Sequence, residues 1–551
     1  MNKRWTVGAY LIERVREVGV RHVFGVPGDY VLGFMDQLVA SPLELVGTCN
    51  ELNAGYAADA YARINGVGAV CVTYAVGGFS VLNAIAGAYA ERVAMIAICG
   101  GPNCADRDEN RLLHHTLGDY AVQVDVFRHV TRVAVGLSNP EDAPAQIDDA
   151  VTACVRHRRP VFIEIPADLV TAPCRAPEAL DFNLAPQTDQ EVLAEAVEEA
   201  VSMLQAAKRP VILGGVEVHR FGLQNELEGL LNHAEYPMAT ALMGKSVIRE
   251  THPQYIGVYS GALSEEYVRQ TVEEADCVLS LGAWMSDINL GIYTARIDVG
   301  RLIHASADRV RIRRHYFDRV YLGDFISSLH KALEKPARLE NSPIHPATRS
   351  LDQRFEMMSE SPITIQRFYE RVNHFLDDDS IVLADAGDSF LCAGELVMHE
   401  GVGFICQAFY CSIGFTLPGT LGVGLADPKR RPILFIGDGA FQMTAQELST
   451  IIRCHLAPVI FLMNNRGYTV ERVIHDGPYN DIQNWHYHQL PEVFGGGWSC
   501  EVHTEAALEN ALARAERERD SLAFIEVHVD PNDCSAALKR LGKALAAQRD
   551  L

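Results

Sequence analysis

The stretch "ILFIGDGAFQMTAQELSTII", residues 433–452, decides the fold, and "MNNRGYTVE", residues 463–471, follows it. The first stretch begins with an apolar run that ends in Gly-Asp-Gly, and the second contains Asn-Asn followed shortly by a glycine. Both patterns indicate the end of a strand and a turn. A Gly-Asp-Gly turn needs no function, because glycine permits positive φ and aspartate hydrogen-bonds to its own backbone. The stretch alone therefore leaves two interpretations open: a tight turn between a strand and a helix, or a site that holds a phosphate through a metal.

The spacing between the two stretches favours the second interpretation. The predicted elements are a strand over 432–436, a helix from 441 to about 455, and a strand over 459–463. Parallel strands end at the same edge of a sheet, where open α/β sheets bind ligands. Asp438, Asn465 and the carbonyl of Gly467 would then lie together. Three hard oxygen ligands suit Mg²⁺, and the N-terminus of the intervening helix suits the diphosphate that Mg²⁺ would bridge.

Strand and helix patterns alternate along the whole chain, which indicates an α/β protein with parallel sheets and crossover helices. Two proline-rich, poorly periodic segments, 168–190 and 335–364, are predicted linkers. They leave three domains, 1–170, 190–335 and 362–551, each of a size usual for one α/β domain. The predicted fold is therefore three doubly wound parallel-sheet domains.

The composition excludes several classes of function. The 551 residues carry a formal charge of −23, which argues against nucleic acid or an anionic membrane as a partner. The 13 cysteines contain no C-x-x-C pair, so neither a disulfide framework nor a zinc site is implied, and a reducing cytoplasm fits best.

One stretch, 64–90, has no charged residue over 27 positions and is long enough to cross a bilayer. Its five glycines and several polar residues oppose that interpretation. We predict instead a strand in "VGAVCVTY", a loop in "AVGG" and a helix in "FSVLNAIAGAYAE", since strands covered on both faces produce such uncharged runs.

The chain resembles a known family at these positions. GDG followed by 24 residues and NN is the thiamine diphosphate binding motif, and "GDGAFQMTAQELSTIIR", "NNRGYTVERVIH" and "YNDIQNW" resemble the thiamine diphosphate-dependent 2-keto acid decarboxylases. The resemblance covers the whole chain. It implies a pyrimidine-binding first domain, a Rossmann-like middle domain and a diphosphate-binding third domain, with thiamine diphosphate and Mg²⁺ as cofactors.

Four further motifs match the family at their expected places. "CNELNAGYAADAYAR" contains Glu51, which by the resemblance contacts the aminopyrimidine ring and shares a proton with it. "RLLHHTLG" contains His114 and His115, "FGVPGDY" contains Asp29, and "NNRGYTVE" contains Glu471. These acids and histidines are the predicted catalytic residues that handle protons around the substrate.

The resemblance also implies which residues bind the cofactor. With Glu51, they are Thr73, Asp388, Cys411, Ile413, Asp438, Gly439, Ala440, Asn465 and Gly467. Ile413 stands where the family has a bulky apolar residue that bends the cofactor, and the carbonyl of Cys411 would accept from its amino group. Asp388 departs from the family, where Thr or Ser is usual, so the contact of its side chain is in doubt because an ionised carboxylate cannot donate.

The predicted substrate pocket consists of Ala386, Phe390, Val470 and Ile474. Ala386 stands where relatives often carry a larger side chain, which favours an aromatic or branched 2-keto acid over pyruvate. No cysteine lies between Cys174 and Cys277, so thiol-linked substrate activation has no thiol in the middle domain.

In this family the site forms between the first domain of one subunit and the third domain of another. We therefore expect a homodimer as the minimum active unit and a homotetramer by family habit. Two alternatives stay open: a carboligase of the acetolactate synthase type, which His114, His115 and "YNDIQNW" disfavour, and a non-catalytic homologue, which the intact set of acids and histidines disfavours.

Overall fold

The computed structural model describes residues 4–182, 187–335, 351 and 354–549. Three sheets follow one another along the chain, each with helices packed against it. The α/β class predicted from the alternating pattern is confirmed. Of the two predicted linkers, residues 183–186, 336–350 and 352–353 lie outside the described residues.

Six parallel strands form the first sheet: β1 His22–Gly25, β2 Glu44–Gly47, β3 Gly68–Val72, β4 Met95–Gly101, β5 Val133–Gly136 and β6 Val161–Pro166. Their spatial order is β2-β1-β3-β4-β6-β5. The accompanying helices are α1 Val7–Glu17, α2 Leu32–Val39, α3 Glu51–Asn65, α4 Val76–Ala90, α5 Cys104–Asp108, α6 Val122–Arg128 and α7 Ala143–His157. Strands β3, β4 and β6 are buried at every residue, because their sheet is covered on both faces.

The uncharged stretch divides into β3 and α4, but the helix begins at Val76, so the "AVGG" segment is largely its first turn and the predicted loop is wrong. Ala75, just before it, has a φ of 50° and makes the sharp turn that leaves no room for a loop. Among the described helices, none combines the length and apolar character needed to cross a bilayer.

Seven strands form the second sheet: β7 Pro210–Gly214, β8 Met238–Thr240, β9 Tyr255–Val258, β10 Cys277–Leu281, β11 Leu302–Ser306, β12 Arg309–Ile312 and β13 His315–Asp318. Their order is β13-β12-β11-β10-β7-β8-β9. Its helices are α8 Gln190–Ala206, α9 Val216–Phe221, α10 Gln224–Ala234, α11 Glu266–Glu273 and α12 Leu322–Ala332. The predicted parallel pairing is present from β11 to β9, while β12 and β13 pair antiparallel at one edge, where short turns join β11, β12 and β13.

Six parallel strands form the third sheet: β14 Ser380–Ala384, β15 Gly403–Cys406, β16 Arg431–Gly437, β17 Val459–Asn464, β18 Trp498–Val502 and β19 Ala523–His528, in the order β15-β14-β16-β17-β19-β18. Its helices are α13 Ile365–Asn373, α14 Asp388–Ala393, α15 Thr416–Ala426, α16 Asp438–Thr444, α17 Leu448–Arg453, α18 Thr469–Ile474, α19 Leu490–Val493, α20 Glu505–Arg517 and α21 Ala536–Arg549. The predicted single helix from 441 to 455 is wrong, because a 3₁₀ turn over Ala445–Glu447 separates α16 from α17.

The first and third sheets share one hydrophobic core. Helices α3 and α15 pack so closely that a β-carbon on Gly422 would lie 2.0 Å from the carbonyl oxygen of Ala57. Tyr61 and Leu421, one from each helix, are fully buried in this core. The close approach of the two backbones therefore depends on glycine, and it fixes the third sheet against the first.

Glu91 joins all three parts of the chain. It is fully buried and pairs with Arg63 at 2.9 Å, while its backbone carbonyl accepts from Arg220 Nε of the second part at 3.0 Å. Its Oε1 accepts from the backbone N–H groups of Phe409 and Tyr410, both at 3.0 Å. One buried carboxylate thus fixes the start of the loop that follows β15.

Candidate active site

Three oxygen atoms meet where β16 and β17 end side by side. The side-chain amide of Asn465 lies 3.1 Å from Asp438 Oδ1 and 2.7 Å from the carbonyl oxygen of Gly467. When the amide oxygen faces these two acceptors and Asp438 is ionised, the three oxygens repel one another unless a cation lies between them. Asp438 is fully buried, and its Oδ2 has no hydrogen-bond partner in the described structure. This donor set fits a hard divalent cation.

The Asn465 amide also has an orientation that suits the absence of a cation. With the nitrogen inward, the amide donates to Asp438 Oδ1 and to the Gly467 carbonyl, and its oxygen accepts from Thr469 Oγ1 at 2.8 Å. Burial raises the pKa of the Asp438 carboxyl to about 7. A cation beside that carboxyl would favour its ionised form.

Helix α16 begins at Asp438, three residues before the predicted start. The backbone N–H of Gly439 donates to Asp438 Oδ1 at 2.8 Å, which turns the carboxylate toward the end of β17. A β-carbon on Gly439 would lie 2.4 Å from the ring of Tyr468, so only glycine fits at this position. The second glycine of the motif therefore permits the two loops to approach each other.

A cavity of 280 Å³ opens at this edge of the third sheet. It is lined by these residues predicted from the sequence: Ala386, Asp388, Phe390, Cys411, Ile413, Gly439, Ala440, Asn465, Gly467, Val470, Glu471 and Ile474. Leu263 and Ile292 of the second part and Leu541 of α21 close its other side. The cavity is thus mostly apolar, with the oxygen cluster at one end.

Asp388 uses its side chain within the protein. Its Oδ2 accepts from the backbone N–H of Ser535 at 2.8 Å, and its Oδ1 accepts from the Ser535 hydroxyl. These bonds tie the start of α14 to the segment before α21. The contact between Asp388 and a cofactor therefore stays a prediction, and its carboxylate is already engaged on the protein side.

Asp385 holds the loop that contains Ile413, a role that no sequence pattern indicated. Its Oδ1 accepts from Gly414 N at 3.0 Å, and its Oδ2 accepts from Thr416 N at 2.9 Å and from Thr416 Oγ1 at 2.5 Å. Asp385 is fully buried at the end of β14. Cys411, in the same loop, has a φ of 55°, a left-handed conformation unusual for a residue other than glycine. A buried carboxylate with three donors fixes this strained loop against the cavity.

Asp29, His114 and His115 form a cluster at the edge of the first sheet. His114 Nε2 lies 2.6 Å from Asp29 Oδ2, and His115 Nε2 lies 4.0 Å from Asp29 Oδ1. The ring of Tyr30 stacks on His114 with centroids 4.9 Å apart, a contact that sequence reasoning missed. The side chains of Asp29 and His114 are 51% and 59% exposed, so this cluster faces outward from the chain.

Glu51 begins α3, directly after Asn50, whose side chain caps the helix by accepting from Asn53 N at 2.8 Å. Acidic residues are favoured in a first helical turn. A β-carbon on Gly77 would lie 3.5 Å from Glu51 Oε1, so the first turn of α4 lies beside this carboxylate. Thr73, shortly before Gly77 in the chain, is buried, and its hydroxyl has no hydrogen-bond partner in the described structure.

The predicted site residues fall into two groups that do not meet within one chain. Among the described residues that line the cavity, none precedes Leu263. Glu51, Thr73 and the cluster of Asp29, His114 and His115 therefore lie outside it. Glu471 lines the cavity together with Asn465 and Gly467, whereas the acids and histidines of the first sheet lie outside it.

Comparison with known proteins identifies three matching regions. Residues 5–125 match "Thiamine pyrophosphate enzyme, N-terminal TPP binding domain", residues 197–332 match the central domain, and residues 385–527 match the C-terminal TPP binding domain. The chain is 39% identical over 561 residues to pyruvate decarboxylase 1 of Pisum sativum, covering 98% of this chain and 93% of the relative. It is 38% identical over 584 residues to pyruvate decarboxylase 2 of Nicotiana tabacum, covering 98% and 94%.

Proposed function

The chain belongs to the thiamine diphosphate-dependent 2-keto acid decarboxylases, and we propose that Asp438, Asn465 and Gly467 hold the Mg²⁺ that joins the cofactor's diphosphate to the protein. The observation that carries this proposal is the buried, unpartnered Oδ2 of Asp438, with the Asn465 amide and the Gly467 carbonyl beside the same carboxylate. Mg²⁺ usually completes its octahedral coordination with phosphate oxygens and water. When bound, thiamine diphosphate supplies the electron sink for the charge that remains after CO₂ departs.

The protein's own task is to position groups and to handle protons. Glu51 is proposed to exchange a proton with the cofactor's pyrimidine ring, which a carboxylate shielded from water can do in its neutral form. Ile413 is proposed to contact the cofactor when it is bound, and Asp385 holds the Ile413 loop in place. Asp29, His114, His115 and Glu471 are proposed to protonate the reacting centre and to assist aldehyde release.

The active unit is proposed to be a homodimer, with a homotetramer as the full assembly. In it, the surface of the first sheet with Glu51 and His114 faces the cavity of another copy. Two observations support this: Glu51 lies outside the cavity of its own chain, and the Asp29–His114 pair is exposed. The two domains that would meet across the subunit interface are proposed to span residues 1–170 and 362–551. The middle domain is proposed to span residues 190–335.

The substrate is proposed to carry a side chain larger than the methyl group of pyruvate. Ala386, Phe390, Val470 and Ile474 all line the cavity, and the small side chain of Ala386 would leave space for a larger substrate. The named relatives are pyruvate decarboxylases, so pyruvate is the competing substrate.

Steady-state kinetics of the chain reconstituted with thiamine diphosphate and Mg²⁺ test these points. The panel contains pyruvate, a branched 2-keto acid and an aromatic one, and both aldehyde and CO₂ are measured. We expect one aldehyde and one CO₂ per keto acid, with the highest kcat/KM for the branched or aromatic substrate. The highest kcat/KM for pyruvate would reject the larger substrate, and a hydroxyketone as main product would indicate a carboligase instead.

A further inference from the structure

The turn that joins β3 to α4 connects the surroundings of Glu51 with those of His114. On one side, Gly77 follows the turn closely, and a β-carbon built on it would lie 3.5 Å from Glu51 Oε1. On the other side, Tyr74 belongs to the turn and packs edge-on against Tyr30, with ring centroids 5.9 Å apart. Tyr30 in turn stacks on His114. A displacement of this turn would therefore be felt by both Glu51 and His114.

A side chain of α6 holds the turn in an unusual conformation. Ala75 has a φ of 50°, which is rare for a residue other than glycine. Its backbone N–H donates to Oε1 of Gln123 at 2.6 Å, and both residues are buried. A β-carbon on Gly78 would lie 2.3 Å from the same Oε1, so the amide fits closely against the start of α4. The conformation of the turn is therefore tied to the position of Gln123.

Glu164 of β6 determines which end of the Gln123 amide faces the turn. Its side chain is fully buried, and its Oε2 accepts a hydrogen bond from Gln123 Nε2. An ionised carboxylate takes only donors, so it engages the amide nitrogen and leaves the amide oxygen for Ala75. Arg107 Nη1 lies 2.7 Å from Glu164 Oε1. Burial raises the pKa of the Glu164 carboxyl, whereas Arg107 and Gln123 oppose that rise and so stabilise the ionised form.

We propose that Gln123 and Glu164 are positioning residues for the decarboxylation: they hold the turn between β3 and α4, which sets Glu51 and His114 relative to each other. This role rests on the proposed function, in which Glu51 and His114 handle protons. Gln123 and Glu164 are not among the residues that line the described cavity, so they act through the turn. A displacement of about 1 Å at a reacting group is enough to lower a rate by about 100-fold.

Exchanging the two side chains gives a test with its own rescue. Glu164→Gln leaves an amide with one acceptor end between two donors, Gln123 Nε2 and Arg107. Gln123→Glu places two carboxylates face to face. The double variant Gln123→Glu, Glu164→Gln restores every match: the carboxylate at position 123 accepts from the Ala75 N–H and from the amide nitrogen at position 164, whose oxygen then faces Arg107. Each single change should therefore disturb the turn, and the double change should repair it.

Two quantities are measured on the full-length chain. The first is hydrogen–deuterium exchange of the peptide that contains Ala75, recorded without added cofactor. The second is kcat per bound thiamine diphosphate after reconstitution with Mg²⁺, which counts only folded sites. We expect faster exchange in each single variant and a kcat lower by at least about 10-fold. KM for the keto acid should change much less, because the substrate pocket is proposed at the third sheet. The double variant should recover both exchange and kcat.

The control Glu141→Gln changes an exposed glutamate before α7 and should leave both quantities as they are. Unchanged kcat per bound cofactor in the two single variants would overturn the proposal, even with faster exchange, because the pair would then serve the fold alone. A double variant no better than the single ones would overturn it as well. Aldehyde production by the original chain checks the proposed function separately: its absence would reject that function, whereas the exchange result concerns only the hold of Gln123 and Glu164 on the turn.

Discussion

The side-chain amide of Asn465 lies 2.7 Å from the carbonyl oxygen of Gly467. The amide nitrogen donates to that carbonyl when no cation is bound, whereas the amide oxygen can face it only with a cation between the two acceptors. The orientation of this amide is therefore tied to metal binding, and the proposed link between metal and cofactor can be tested apart from catalysis.

Removal of Mg²⁺ should release the cofactor. We expect EDTA to abolish thiamine diphosphate binding measured by isothermal titration calorimetry, and Asp438→Asn to weaken it by more than about 100-fold in the presence of Mg²⁺. The control Asp476→Asn changes an exposed aspartate near the same edge and should bind normally. Equal affinity with EDTA and with Mg²⁺ would show that the oxygen cluster holds no metal needed for the cofactor.

Glu51→Gln should separate turnover from binding. Loss of a group that exchanges a proton with the cofactor should lower kcat by at least about 100-fold. Thiamine diphosphate affinity should change much less, because the proposed site for the diphosphate lies at the third sheet. Glu44→Gln, on an exposed glutamate of β2, is the matched control. Unchanged kcat in the Glu51 variant, measured by aldehyde production, would reject the role proposed for Glu51.

Ala386→Leu should narrow the substrate wall. We expect kcat/KM for a branched or aromatic 2-keto acid to fall by about 10-fold or more, since crowding of this size costs about 1–3 kcal/mol. The loss for pyruvate should be smaller. The measurement is the ratio of kcat/KM for the branched or aromatic keto acid to kcat/KM for pyruvate within the same variant. A loss of folded enzyme lowers both values equally and leaves this ratio unchanged. Equal losses for both substrates would place Ala386 outside the substrate wall.

Asp385→Asn should loosen the loop that carries Ile413. The new amide nitrogen would face one of the donors from which Asp385 now accepts a hydrogen bond. Two donors then face each other, and an unpaired buried donor costs about 1–3 kcal/mol. Urea unfolding should show this loss of stability, together with weaker thiamine diphosphate binding. Asp378→Asn, at an exposed position just before β14, should change neither quantity. Normal stability of the Asp385 variant would mean that the loop does not depend on these bonds.

His219 should make the protein sensitive to mild acid. Its Nε2 lies 2.9 Å from the Lys245 carbonyl, and Gln224 Nε2 lies 3.2 Å from its Nδ1, an arrangement that suits the neutral ring. Burial lowers its pKa to about 4, whereas an unfolded histidine has a pKa of about 6.5. The unfolded state therefore binds more protons between these values, and stability falls as the pH drops from about 6.5 toward 4, by up to about 3 kcal/mol.

The measurement is the urea midpoint at pH 6.5 and at pH 4.5. The midpoint of the original chain should fall more over this interval than that of His219→Gln, which has no group to protonate. His315→Gln replaces a histidine that is 72% exposed and should leave the pH dependence as it is. Parallel pH profiles for the original chain and the His219 variant would contradict the assignment.

Local pattern was enough to place the oxygen cluster. Gly437 and Met463 pair across β16 and β17, so the residues after each strand had to emerge together. The same reasoning gave the α/β class and the three sheets. It failed at Val76, where a turn at Ala75 starts a helix inside a glycine-rich segment. It also did not indicate the antiparallel pairing of β12 and β13, because short antiparallel strands carry no period that distinguishes them from parallel ones.

The sequence did not reveal contacts between residues that lie far apart in the chain. Glu91 looks like any glutamate at the end of a helix, yet it pairs with Arg63 and holds a loop more than 300 residues further along the chain. Asp385 follows a strand as many aspartates do, and only the fold supplies its three donors. The role of such residues can be recognised only when their hydrogen-bond and ion-pair partners are known, because no local sequence motif marks them.

The shared core between α3 and α15 also has a consequence for synthesis. Gly422 emerges from the ribosome roughly 365 residues after Ala57, the residue against which it packs. At roughly 5–20 residues per second, the face of α3 that becomes buried stays without its partner for about 20–70 s. Newly made chains therefore present an alanine-rich helix to chaperones long before the segment that will cover it exists.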